Sequence, residues 1–394
     1  MLPLHLAHYT QVSCVGDGLA PFRDALQRGS GGLAPCRFHG TELPTWIGAV
    51  AGLDDSPLPA AFAAYDCRNN RLARRGLAAD GFDAAVRAAI GRHGPRRVGV
   101  ILGTSTSGIL ETETAFRQRG ADGALPAAFR YAGAHNTYSL AAFVRAWFSL
   151  EGPAAVVSTA CSSSAKVFAA AARMIHAGLI DACVVGGADS LCLTTLHGFA
   201  SLELTAPEPC RPYDAGRQGI SIGEAAAFAL LERPAATTSG VLLLGCGESS
   251  DAYHMSSPHP DGLGARLAME AALADAGLAA DAIDYINLHG TATVNNDAAE
   301  GCAVGTLFGH GVPCSSTKGL TGHTLGAAGA LEAVACALAI ADGFLPGSAN
   351  TRHPDPALPL DYLLASRSAT VRRAMSNSFG FGGSNCSLVF GSAA

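Results

Sequence analysis

One order of segments occurs twice along this chain, and that repetition constrains its fold more than any other feature. In the first occurrence, "PAAVVSTA" (Pro153–Ala160) is a short β-rich run that meets Cys161 and an Ala-rich helical stretch, Ala165–Ala177, ending at Gly178. In the second, "PCSSTKGLTGHTLGAAGALEAVACALAIADG" (Pro313–Gly343) supplies a short strand, a Gly-punctuated turn and another Ala-rich helix, Leu325–Ala341. Each half then closes on a Gly-rich turn and an apolar strand. Further strands are predicted at Arg96–Thr104, Asp181–Asp189 and Ala225–Glu232, and after a short polar connector (Arg233–Gly240) at "VLLLGCGES", "DAIDYINLHG" and "NCSLVFG". Ala265–Ala276 is a further helix candidate. Short strands alternating with long helices predict a layered α/β fold. Two like halves, residues 1–235 and 236–394, predict a duplicated unit about a pseudo-twofold axis, with a site between them.

Composition excludes several classes of function. The 394 residues are 49% hydrophobic and only 15% charged, so a large core is expected. A formal net charge of −6 argues against nucleic-acid binding, which needs a basic face. Twelve cysteines are scattered without CxxC pairs or a His-rich partner pattern, so no zinc site is expected. The start "MLPLHLAHYT" lacks the basic head and apolar core of a signal peptide. No uninterrupted apolar run reaches the about eighteen residues of a transmembrane helix. These readings together predict a cytoplasmic protein with reduced thiols.

Cys161 stands where an apolar run ends and a helix begins. Packing accounts for such a residue, since unpaired cysteine often serves as a small buried hydrophobe. Reactivity is the other reading, because the unpaired N–H groups and partial positive charge of a helix start favour thiolate. His289 follows the apolar run Ile283–Leu288, and Lys318 and His323 lie in the Gly-rich loop of "STKGLTGHTLGAAGALE" (Ser316–Glu332). Singly, each histidine reads as a hydrogen-bonded structural residue and the lysine as a solvated charge. Together with Cys161 they fit a thiolate nucleophile surrounded by donors for an oxyanion. "SNSFGFGGSNCSLVF" (Ser376–Phe390) adds backbone N–H groups and rings that exclude water.

The segments "STACSSS", "CRPYDAGRQGISIGEAA", "DAYHMSSPHPDG", "NLHGTATVNND", "STKGLTGHTLGAAGALE" and "SNSFGFGGSN" follow one another in a fixed order. In that order the chain resembles the β-ketoacyl-[acyl-carrier-protein] synthases, condensing enzymes of fatty-acid and polyketide synthesis, from about Arg96 to Phe390. The resemblance implies a thiolase-like α-β-α-β-α fold and a decarboxylative Claisen condensation. An acyl-Cys enzyme would react with malonyl-ACP to give β-ketoacyl-ACP. It implies Cys161 as acyl-accepting nucleophile, His289 and His323 as the active-site histidines, and Lys318 with its partner Glu332 as organisers. It implies Phe381 as a gating ring whose N–H joins that of Cys161 in an oxyanion hole. Thr291, Thr293 and Phe379 would contact the phosphopantetheine arm and its cargo. No metal or cofactor is implied beyond the phosphopantetheine of the acyl-carrier protein. The partners implied are that carrier and a second subunit, either identical or a chain-length-factor-like homologue.

Three segments depart from the family's pattern. Leu6–Gly18 lacks the usual opening strand and Gly-rich turn, although Gly16 and Gly18 keep glycines there. Ala225–Ala227 replace glycines after Glu224, where a turn is expected to change. Ser384 stands where threonine is frequent. With "DSLCLTTLHGFASLEL" (Asp189–Leu204), these features resemble ketosynthases of secondary-metabolite clusters such as aryl-polyene assembly. Acyl length is expected to depend on Thr104–Ser107 and Ala134–Tyr138. Rival readings are a thiolase using Cys386 as base, a starter synthase pairing Cys and His with Asn, and a chain-length-factor-like partner without catalysis. Carrier docking is expected at Arg68, Arg71, Arg74, Arg75, Arg117, Arg119 and Arg130. The aromatic segment Phe129–Gly152 is expected at a subunit interface.

Overall fold

The structure, a computed structural model, describes residues 1–235 and 239–393. Its strands are buried on both faces, and alternate residues feed different cores. Along Ala225–Glu232, Ala225, Ala227, Ala229 and Leu231 join one cluster, while Ala226, Phe228 and Leu230 join another. This is the period-two geometry of a strand held between helical layers. Such strands need apolar side chains on both faces, hence the unbroken apolar runs.

The first half contributes β1 (Leu4–Ser13), β2 (Val98–Gly103), β3 (Ala154–Val157), β4 (Ala182–Asp189) and β5 (Ala225–Glu232). The second contributes β6 (Val241–Ser250), β7 (Tyr285–Asn287), β8 (Pro313–Ser315), β9 (Arg373–Gly380) and β10 (Ser384–Ser392). Their spatial order is β3-β2-β4-β5-β1, then β6-β10-β9-β7-β8, with β1 and β6 antiparallel at Leu4 opposite Leu243. Read outward-in, both halves place their third, second, fourth, fifth and first strands in the same sequence. Directions match as well. Within each half the third, second and fourth strands are parallel to one another, and the fourth-fifth and fifth-first pairings are antiparallel. The connector between the halves includes residues 236–238, which lie outside the described residues.

The helices that matter here are α1 (Arg68–Ala78), α2 (Ser163–His176), α3 (Leu193–Ser201), α4 (Leu263–Ala276), α5 (Val294–Phe308) and α6 (Ala328–Asp342). The central layer is α2 with α6, which share one core with Cys183 and Val185 of the first half and Ala374 and Leu388 of the second. Leu72 and Leu77 of α1 cover the outer face of the first half at Phe228. Met269 of α4 and Ala303 of α5 cover that of the second at Ile286 and Val389. The fold is therefore the expected α-β-α-β-α stack. Every residue from Ala328 to Ile340 is buried, and small side chains let a helix fit between two sheets. Leu325–Asp342 has the length and apolarity to cross a membrane, yet 89% of that window is inside the protein, so it is core.

Three expectations need correction. Leu6–Gly18 does not lack the opening strand: Leu4–Ser13 is a strand of 10 residues between β5 and β6. Its polar residues obscured it, but they are satisfied internally. Thr10 Oγ1 donates to Asp80 at 2.8 Å and Gln11 Nε2 to the Gly18 carbonyl at 2.6 Å. Ala225–Ala227 alter no turn, because they open β5 with their side chains in the core. The aromatic segment Phe129–Gly152 divides, with Phe143 and Phe148 in the core and Tyr131 and Tyr138 exposed.

The start of α2 rests directly on β2. A Cβ at Gly103 would lie 2.4 Å from the Ser164 nitrogen and 2.6 Å from the Ser163 carbonyl carbon. Gly103→Ala is expected to lower stability by about 1–3 kcal/mol in urea denaturation, the typical cost of overpacking. A wild-type midpoint would refute this close contact.

Candidate active site

The chain leaves β3 and turns through Ala160, whose φ of 52° is left-handed, before Cys161 and the first turn of α2. This sharp turn sets Cys161 at the inner end of a cavity of about 370 Å³. Of the cysteines only Cys161 lines that cavity. Cys386 is fully buried within β10 and takes no part in it, which removes the basis for a thiolase-type second cysteine.

His289, Lys318 and His323 come from loops of the second half and meet Cys161 across the central layer. His289 follows β7, Lys318 follows β8, and His323 lies just before α6. Nε2 of His323 is 3.0 Å from Cys161 Sγ. The sulfur and one ring nitrogen of each histidine all lie within 4.8 Å of one another. The Phe381 amide also hydrogen-bonds the sulfur.

The tautomers follow from the partners. Leu325 N–H donates to His323 Nδ1 at 3.1 Å, so the ring hydrogen is on Nε2. Lys318 Nζ donates to His289 Nδ1 at 3.3 Å, which again leaves the hydrogen on Nε2. Burial and the nearby Lys318 charge hold both imidazoles well below their ordinary pKa, so they are neutral N–H donors. With hydrogen on both outer nitrogens, the two imidazoles present N–H donors on the side of the sulfur.

Lys318 is held by the His289 carbonyl and by Glu332 of α6. Burial pushes the Glu332 carboxyl up to about 7, against the opposing pull of Lys318. Thr291 and Thr293 join their hydroxyls at 2.9 Å on the cavity wall. Phe379 packs edge-on to His289 with ring centroids 5.9 Å apart. Phe381 sits at the cavity mouth beside Phe199, with centroids 5.8 Å apart.

All the expected site residues therefore meet, and burial acts on Cys161 against the thiolate preference expected of it. Burial pushes its thiol up to about 11 from an ordinary 9.0, and the Lys318 charge and the Phe381 amide only partly offset this. Burial thus opposes the thiolate preference expected of a helix start. Sequence reasoning also missed Glu300. Its carboxylate accepts the amides of His289 at 2.7 Å and Gly290 at 2.8 Å, and Asn377 Nδ2 at 3.2 Å, fixing the histidine's backbone. A carboxylate among the small residues of "DAAEGCAVG" was the available signal.

Two further expectations concern residues away from this cavity. Ser107 ties Thr104–Ser107 to Ala134–Tyr138 through the Ala134 and Asn136 carbonyls, but neither segment lines the Cys161 cavity. Ala134 instead lines a separate cavity of about 280 Å³. Among the arginines expected at a carrier surface, Arg68 is buried against Glu224 at 2.6 Å and Arg71 is paired with Asp66 at 2.7 Å. Arg75 is paired with Asp17. These charges of α1 are already engaged.

Comparison with known proteins agrees with this geometry. Residues 74–236 match the family described as Beta-ketoacyl synthase, N-terminal domain, and residues 241–352 match Beta-ketoacyl synthase, C-terminal domain. Nodulation protein E of Rhizobium meliloti (strain 1021) is 40% identical over 305 residues, covering 75% of each chain. The 3-oxoacyl-[acyl-carrier-protein] synthase 2 of Vibrio cholerae is 36% identical over 312 residues, again 75% of each. A chain from the solved complex of a ketosynthase (ApeO) with its chain length factor (ApeC) from Xenorhabdus doucetiae superimposes with a TM-score of 0.90 at 39% identity. That match covers 100% of this chain and 98% of the other.

The raised thiol pKa has a measurable consequence. With a pKa of about 11, the reactive thiolate fraction grows roughly tenfold per pH unit through pH 10. An ordinary cysteine levels off near 9. Iodoacetamide labelling of Cys161, followed by peptide mass spectrometry, should therefore keep accelerating up to pH 10. A plateau below pH 8 would show that the thiolate is favoured at rest.

Proposed function

The chain belongs to the β-ketoacyl synthase family, and we propose that its carbon–carbon bond formation runs through Cys161, His289 and His323 as their hydrogen positions allow. The observation that carries this reading is the sulfur facing two imidazoles whose outer nitrogens both carry hydrogen. In the first step Cys161 sulfur attacks the carbonyl of an acyl thioester. The Cys161 proton leaves with the departing carrier thiol, and the amides of Phe381 and Cys161 hold the tetrahedral oxyanion. Removing one such donor typically costs about 2.7–4 kcal/mol of barrier.

In the second step a malonyl thioester occupies the same channel. Its carboxylate carbon leaves as carbon dioxide, and the bonding pair becomes an enolate. The Nε2–H groups of His289 and His323 stabilise the enolate oxygen. The enolate carbon then attacks the acyl-Cys161 carbonyl and forms the β-ketoacyl thioester, expelling the sulfur as a thiolate that takes up a proton from solvent. Lys318 acts at one remove: it fixes the His289 tautomer and opposes protonation of that ring. No metal ion or redox cofactor has a place in this scheme.

The substrates arrive on the phosphopantetheine of an acyl-carrier protein, with Thr291, Thr293 and Phe379 along the arm. The same reading places the enzyme in the cytoplasm, in keeping with cysteines that are all free among the described residues. It also treats residues 1–235 and 236–394 as the two duplicated units.

A second subunit is part of the proposal. Among the described residues no further strand pairs with the outer edge of β3, and Tyr131 and Tyr138 are exposed. Edge strands of this kind invite pairing with another chain. A homodimer is the simplest arrangement. The chain-length-factor complexes among the similar structures favour a second one, a heterodimer with a homologue lacking the cysteine.

Cys161→Ala should abolish condensation while leaving the thermal midpoint intact. His289→Ala or His323→Ala should leave radiolabelled acyl loading measurable while carbon dioxide release from malonyl carrier protein falls by about 10²-fold or more, the loss typical of a missing oxyanion donor. β-Ketoacyl product from Cys161→Ala, or equal loss of both steps in the histidine variants, would overturn the scheme. Light scattering of the purified chain should show a dimer, or an aggregate rescued by a co-expressed homologue. A monodisperse active monomer would remove the second subunit.

A further inference from the structure

The mouth of the Cys161 cavity is apolar where a carrier has to sit. Met255 is 78% exposed, Val294 59%, Tyr253 57%, Leu202 54% and Phe381 36%. Leu202, Val294 and Phe381 line the cavity itself. The Met255 carbonyl accepts the Gly382 amide at 2.7 Å, which places Met255 beside the Phe381 turn. Tyr253 stands edge-on to His259, with centroids 5.1 Å apart, on the same strap of chain whose Ser256, Ser257 and Pro258 form one wall.

Charge points the same way. Among the described residues no lysine or arginine lines this cavity, and its carboxylates are Glu203 and Asp251. Asp251 accepts the Asn385 amide at 2.8 Å. Glu203 has no ion-pair partner among the described residues and is held at a φ of 58°, a backbone conformation that favours glycine. A left-handed glutamate just after α3 is an unusual residue for ending a helix.

We propose that the acyl-carrier protein docks on this rim through an apolar contact face, seated on Met255, Leu202, Val294 and Tyr253, and that Glu203 disfavours carriers with an acidic residue opposite it. The proposal rests on the reading that substrates reach Cys161 on a carrier's arm. An arm threaded through this mouth obliges the carrier's body to cover the ring around it, and that identifies the occupant. Exposed methionine and aromatic side chains suit such a contact, because they bury area and adapt in shape. Attraction of this kind resists salt, whereas contact between an acidic carrier and a basic patch weakens as ions screen it.

The test uses the purified enzyme with any subunit that co-purifies. The probes are a holo acyl-carrier protein of bacterial fatty-acid synthesis and its variant with the glutamates around the phosphopantetheinylated serine changed to glutamine. Binding is read by fluorescence anisotropy, independently of turnover. Raising salt from about 50 mM to about 0.5 M should change Kd by less than about threefold. The glutamine variant should bind at least as tightly as its parent, and Glu203→Arg should tighten the parent. Met255→Glu should weaken both carriers about tenfold while condensation of free pantetheine thioesters stays unchanged.

A tenfold salt effect with Met255→Glu silent would overturn apolar docking, as would failure of either carrier to bind. A change in oligomeric mass in Met255→Glu would show that the rim covers another subunit, which also overturns it. Absence of turnover on free pantetheine thioesters in the wild type would sink the condensation reading instead, since the anisotropy result stands apart from it.

Discussion

A single ammonium in a dry interior organises this protein. Lys318 is buried between the two halves, and an unpaired charge there would cost several kcal/mol. Its partners are therefore obligatory: Glu332 from the central helix, and the His289 carbonyl and ring nitrogen from the loop after β7. Satisfying that charge fixes which nitrogen of His289 bears hydrogen and lowers the proton affinity of both imidazoles. The electrostatics of the cavity are thus set by the need to satisfy a lysine that lies behind its lining.

The duplicated frame explains how such different groups come together. Cys161 follows the third strand of the first half and Lys318 the third strand of the second, each just ahead of a helix of the central layer. The two positions are equivalent in strand order, so the pseudo-twofold relation brings them to one place. One half delivers the sulfur and the other its electrostatic environment. Neither half has a site by itself.

Much of this was legible in the chain. The strands buried on both faces announce themselves as apolar runs, and the central helices as alanine-rich stretches. The motifs around Cys161, His289 and His323 also identify the family. β1 was hidden because Thr10 and Gln11 are polar yet satisfied by distant partners, Asp80 and the Gly18 carbonyl, which no local pattern encodes. Arg68 looked like a surface charge because only the folded chain brings Glu224 to it. The raised pKa of the thiol was hidden for a similar reason. Position at a helix start is visible in sequence, whereas the depth of burial is a property of the whole molecule.

That depth has a consequence for survival under oxidants. Peroxide attacks thiolate, and the route to sulfinic and sulfonic acid begins with exposed, low-pKa sulfur. Burial and the raised pKa that follows from it both work against that route at Cys161, so the same desolvation that holds back the thiolate also shields the sulfur.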